Sequence, residues 1–170
     1  RLDACLIAGP ENIYYLCGLS YQGYFVYHML VVPRQGEMCL VTRAMEHVAI
    51  GNQVRQARFV GHADGEDPAR VTREVLIDMG LGTARLGLEK DVLHFPPIIA
   101  EAIVAGLPGA QWSDASGLVN ELRLVQSPRE LAYTRQAAAV SDAMMNAAID
   151  TAAAGVSERE VAVEVYRAMI

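Results

Sequence analysis

Residues 114–138, DASGLVNELRLVQSPRELAYTRQAA, read as the end of one folded unit and the start of another. Ser127-Pro128-Arg129-Glu130 spells a helix start. The Ser127 hydroxyl can accept from the Glu130 N–H, the Glu130 carboxylate can accept from the Ser127 N–H, and Pro128 falls where no donor is needed. A long helix is expected from here to about Ala154, rich in small residues that permit close helix approach and ended by Gly155. Ser157-Glu158-Arg159-Glu160 repeats the device and opens another helix. Ahead of the seam, Asp114-Ala115-Ser116 followed by Leu118, Val119 and Leu122 predicts a strand end running into a short amphipathic helix.

Upstream, apolar runs and glycine or proline punctuation alternate between strand and helix signals. Residues 4–8, Ala-Cys-Leu-Ile-Ala, form a short continuous apolar run halted by Gly9-Pro10, as a buried strand does. Pro10 opens a helical turn that offers Ile13, Tyr14 and Leu16 for packing and closes at Gly18. Residues 24–32 and 37–42 flank Pro33-Arg34-Gln35-Gly36 and predict a hairpin; residues 45–54 predict a helix and residues 58–61 a short strand. Asp67-Pro68 caps a helix whose apolar face is Val71, Val75, Leu76 and Met79. Strand, helix and strand follow at residues 85–89, 97–105 and 110–113. A hairpin among crossover units means an α/β domain with a mixed sheet flanked by helices. The domain is expected to span residues 1–123, with residues 124–170 forming a hinge and the first helices of a second domain. The chain enters its first strand almost without a polar lead-in and stops within a helical pattern, which suggests a longer parent.

The composition narrows the function. With a net charge of -6 and 14 scattered basic residues among 170, the chain lacks the clustered Lys and Arg that phosphate binding requires, so nucleic acid is not an expected partner. No apolar run approaches the roughly 20 residues that cross a bilayer, and no secretory leader is evident; a cytoplasmic protein is expected, with no membrane partner. Cys5, Cys17 and Cys39 are far apart and lack C-x-x-C spacing, consistent with reduced, buried thiols. His28, His47, His62 and His94 show neither H-x-x-x-H nor H-E-x-x-H spacing, so no metal site is expected in this segment. Glu89-x-Asp91-x-x-His94 follows a strand end, where charged loop residues are expected. Asp64-Gly65-Glu66-Asp67 lacks the closing Glu of a calcium loop and reads as a solvated turn. The glycines at 80, 82 and 87 follow a helix and precede a strand, the reverse of a phosphate-cradling loop. No catalytic residue is assigned. Residues 21–28, with Tyr21, Tyr24, Phe25, Tyr27 and His28, concentrate aromatic area with polar tips, suited to a small ligand or to another subunit; a half-buried strand explains the same composition.

Three pieces in order resemble the creatinase/prolidase family of metal-dependent hydrolases. They are Pro10-Glu11-Asn12-Ile13-Tyr14-Tyr15-Leu16-x-Gly18; Leu30-Val31-Val32-Pro33-x-x-Gly36-Glu37 with Leu40-Val41-Thr42-Arg43; and Asp114-Ala115-Ser116 through Leu122-Arg123 to Ser127-Pro128-x-Glu130. The resemblance implies a smaller N-terminal α/β domain joined to a pita-bread catalytic domain, of which residues 124–170 resemble the first helices. It also implies a homodimer acting on a small peptide or small C–N substrate. Two divalent ions (Mn, Co or Zn) would be held by ligands downstream of Ile170, so the segment alone should be inactive. In the family the N-terminal domain overhangs the partner's pocket, which makes Tyr21, Tyr24, Tyr27 and His28 candidate substrate-binding residues in trans. Val26 stands where creatinase carries a substrate-contacting Arg. The resemblance therefore favours Xaa-Pro dipeptides over creatine, with ectoine-type hydrolysis as one alternative and a purely structural module that serves assembly as another.

Overall fold

The computed structural model describes residues 1–20 and 26–170. They form two compact units, Arg1–Leu122 and Arg123–Ile170.

In the first unit, β1 (Ala4–Ile7), β2 (Met29–Pro33), β3 (Met38–Arg43), β4 (Ala57–His62), β5 (Arg85–Leu88) and β6 (Gln111–Asp114) build one six-stranded sheet in the order β4-β3-β2-β1-β5-β6. Only the β1–β2 and β2–β3 pairings are antiparallel, so β2 alone runs against the rest. The sheet is mixed, as the hairpin among crossovers predicts. Alternating side chains of the central strands divide between two cores. Leu6, Met29, Val31, Val41, Leu86 and Leu88 face one core, which α3 (Pro68–Asp78) covers through Val71, Val75 and Leu76, and α4 (Pro97–Ala105) through Ile103. Ile7, Leu30 and Leu40 face the other, covered by α1 (Pro10–Cys17), α2 (His47–Gln53) and α5 (Leu118–Leu124) through Ile13, Ile50 and Val119.

Helix starts follow the sequence. The Asp67 carboxylate accepts from the backbone N–H of Ala69 and Arg70, with Pro68 in the first turn. Gly18 ends α1 at φ 80°, a left-handed conformation that a side chain disfavours. Two expectations need correction. Tyr14 is exposed rather than packed, because the face of α1 turned to the sheet is set by Ile13 and Cys17. The first hairpin strand begins at Met29, so Val26, Tyr27 and His28 lead into it without belonging to it. Residues 64–67 form the exposed turn that their composition suggests, with Glu66 accepting from the Ala63 N–H at 2.7 Å and Asp67 capping α3.

In the second unit, α6 (Pro128–Thr151) and α7 (Glu158–Met169) pack on each other. Both expected capping boxes form. Ser127 Oγ accepts from Glu130 N at 3.3 Å while Ser127 N donates to Glu130 Oε2 at 2.7 Å, and Ser157 with Glu160 repeats the pattern. The long helix stops at Thr151, three residues short of the alanine run's end, and Gly155 takes φ 91° in the turn beyond. Neither helix has a buried residue.

Candidate functional site

The carboxyl ends of the five parallel strands share one edge of the sheet. There β1 leads into α1 on one face, while its parallel neighbour β5 leads toward α4 on the other. Two adjacent parallel strands whose connections leave to opposite faces open a crevice between them, the usual ligand position in open α/β sheets. A cavity of about 240 Å³ lies here, lined by Gly9, Glu11, Asn12, Glu89, Asp91, His94 and Asn120 among others.

Glu89, the residue after β5, is its floor. The residue is 3% exposed, buried where its place at a strand end suggests an ordinary charged loop residue. Oε2 accepts from the N–H groups of Ala8 and Gly9 at 2.8 and 2.7 Å, and Oε1 from the Asn12 amide at 2.5 Å. Glu89 thus caps α1 from outside the helix, at the end where the helix dipole favours negative charge. Gly9, at the N-cap, has no side-chain cap of its own. A Cβ on Gly9 would sit 3.2 Å from Glu89 Oε2, so the glycine allows this approach. The start of the following connection is also tied by Ser116, whose hydroxyl accepts from Lys90 N at 3.0 Å and Asp91 N at 3.2 Å.

Further along the same edge, Tyr27 is buried. Thr72 donates to the Pro68 carbonyl at 2.8 Å, so its one hydroxyl proton is engaged and Tyr27 must donate across the 2.6 Å contact with Thr72 Oγ1. Thr42 donates to the Tyr27 carbonyl at 2.9 Å. Burial pushes the Tyr27 phenol upward, which keeps it a neutral donor. Its ring lies 6.2 Å from those of His62 and Phe95. His28 is also buried; desolvation, with the charge of His94 added, pushes its pKa down to about 4, against a smaller upward pull from Glu46. Tyr27 and His28 are therefore inward-facing, while Tyr21 and Tyr24 lie outside the described residues. The described part of the aromatic segment is a core anchor.

Among the described residues no three His, Cys, Asp or Glu side chains converge as a metal ion would require. The residues present do not fit a two-metal centre, and no chemical step is assigned to one. Cys17 and Cys39 are buried and Cys5 is half-buried; all three are free, with burial raising each thiol, as befits inert cysteines. Among the described residues no helix is long and apolar enough to cross a membrane. A larger cavity of about 680 Å³ at the opposite edge is lined by Asp3, Arg34, Glu37, Arg58 and Asp78, charges of both signs without a convergent set.

The profile of the Creatinase/Prolidase N-terminal domain matches residues 1–125, nearly three quarters of the chain. The chain belongs to the creatinase/prolidase family. Relatives of this creatinase/prolidase domain include an uncharacterized hydrolase/peptidase, y4tM, of Sinorhizobium fredii, 25% identical over 99% of this chain and 45% of its own length. Another is the ectoine hydrolase of Halomonas elongata, 23% identical over 98% of the chain and 44% of the relative. The chain thus spans about half the length of the curated relatives it matches. Among solved structures, the prolidase of Thermococcus sibiricus superposes with a TM-score of 0.73 at 20% identity, covering 99% of this chain and 45% of that one. At that identity the likeness shows the fold.

Proposed function

We propose that this chain is the N-terminal, non-catalytic segment of a cytoplasmic, homodimeric, metal-dependent hydrolase of the Xaa-Pro dipeptidase type. In this reading Tyr21 and Tyr24 complete the substrate pocket of the partner subunit. The observation that carries it is the family match over residues 1–125, in a chain whose described residues offer no metal-ligand set. Tyr21 and Tyr24 supply the aromatic wall, which excludes water from the partner's site. Tyr27 and His28, buried just ahead of the hairpin, anchor the described end of the segment to the core. The two divalent ions, Mn, Co or Zn, belong to the catalytic domain of the parent.

Mixed dimers of the full-length parent test this. Tyr24→Ala subunits paired with subunits lacking a functional catalytic domain should recover part of the activity that each parent lacks, because one site then holds both intact halves. Heterodimers that form but stay as inactive as either parent would exclude contribution in trans and leave an assembly role. The match to an ectoine hydrolase supports a second reading, a small C–N hydrolase, and assaying Xaa-Pro dipeptides beside ectoine separates the two.

A further inference from the structure

We infer that Glu89 is a positioning residue that acts as a built-in anion: its carboxylate takes the place at the β1–β5 crevice that open α/β sheets otherwise give to a ligand's anionic group. Three observations converge on it. The crevice lies where the connections of two parallel neighbours part to opposite faces, the ordinary ligand position of such sheets. The donors there, Ala8 N–H, Gly9 N–H and the Asn12 amide, are of the kind that hold ligand anions at helix starts. All three end on one buried side chain that arrives from 77–81 residues away in sequence. The site is filled from within, and free phosphate or carboxylate is excluded from it.

This filling fixes the wall. Residues 90–95 leave the sheet held at Glu89 on one side and, through Lys90 N and Asp91 N, at the Ser116 hydroxyl on the other. The span carries Asp91 and His94 into the cavity lining and places Phe95 against Tyr27. Glu89 therefore sets the position of His94, whose charge bears on His28. The inference does not depend on which reaction the parent performs.

Chemical rescue tests it on the chain of residues 1–170. Glu89→Ala removes the carboxylate and leaves room for a small one beside the existing cavity. Its thermal midpoint should fall on the order of 10 °C, since buried donors lose their acceptor. Acetate or formate at roughly 100 mM should restore a substantial part of that loss, saturably, while chloride at equal ionic strength restores none. In nitrogen–proton correlation spectra, the amides of Ala8, Gly9 and residues 92–94 should move in the variant and return with acetate. The native chain should respond to neither acetate nor inorganic phosphate at these amides. Stabilisation by acetate no greater than by chloride, or an equal response of the native chain, would overturn the inference. Should Glu89→Ala fail to fold even in acetate, Glu89→Gln keeps the volume and takes its place. Displacement of the 92–94 amides in that variant supports positioning, and unchanged amides there refute it.

Discussion

Protonation of His28 should set the first acid limit of this fold. The imidazole is 4% exposed at the entry to β2, and burial, reinforced by His94 and opposed by Glu46, takes its pKa from 6.5 to about 4. Because the folded value lies below the unfolded one, the unfolded chain takes up the proton first. The stability attached to the neutral imidazole is complete above pH 6.5, declines as pH falls from there to about 4, and changes no further below. At about 1.4 kcal/mol per pH unit, the loss across that window is about 3 kcal/mol, an appreciable share of a domain's stability. Urea unfolding at half-unit steps from pH 7.5 to 4 should show this decline in the native chain, and a flatter profile in His28→Gln, which has nothing to protonate. The His28 ring signal should stay at its neutral position down to about pH 5. Removing His94 should raise the His28 pKa and removing Glu46 should lower it, the order in which their charges act. A ring titrating near 6.5, or parallel pH profiles for the native chain and His28→Gln, would refute the reasoning.

Asp3 acts in a lower window. Arg85 donates to it through Nε, Nη2 and the backbone N–H at 2.8–3.0 Å and holds its pKa at about 2 instead of 3.8, so its contribution is present above 3.8 and disappears as pH falls through about 2. The stability difference between the native chain and Asp3→Asn should accordingly vanish across that interval in acid unfolding curves. Ser127→Ala should cost about 0.5–2 kcal/mol, visible as faster amide exchange at Arg129 and Glu130, since α6 has a complete capping box and no buried residue to compensate. Gly61→Ala should cost roughly 1–3 kcal/mol in chemical denaturation, because its Cβ would come within 2.7 Å of the Ala44 Cα, and backbone must move. Gly65→Ala, with nothing within 4 Å, should be close to neutral and serves as its control.

How far the sequence could be read depended on the range of each interaction. Both capping boxes, the Asp67-Pro68 start and the Gly18 stop act over a few residues, and their chemistry is written in adjacent letters. The cross-strand order is different. Whether β1 pairs with β5, some eighty residues on, is decided by packing of both faces at once, which periodicity in one segment does not encode. The carboxyl-edge site is not legible in any one segment for the same reason. Glu89 reads as no more than the charged residue expected at a strand end, because its three donors sit far off at Ala8, Gly9 and Asn12. Tyr27 and His28 looked like ligand-facing aromatics, because Thr72, Thr42 and Phe95, which enclose Tyr27, come from α3, β3 and the β5–α4 connection.

Two clues to that edge were nonetheless present. A carboxylate directly after the apolar run Leu86-Gly87-Leu88 has no water at hand if the strand is central, so a buried donor set was required. The turn Gly9-Pro10 begins a helix with no Ser, Thr, Asp or Asn at its N-cap, which leaves its first N–H groups in need of an acceptor from elsewhere. One segment lacked an acceptor and another carried a surplus one; β1 and β5 lying side by side bring the two together. Asp114-Ala115-Ser116 completes the edge in the same way. Asp114 accepts from Ser116 N at 2.8 Å, which orients the serine whose hydroxyl holds Lys90 and Asp91. Polar residues at the carboxyl ends of β5 and β6 thus hold one connection in place, and the crevice gets its shape from interactions that each satisfy a backbone group left over by the sheet.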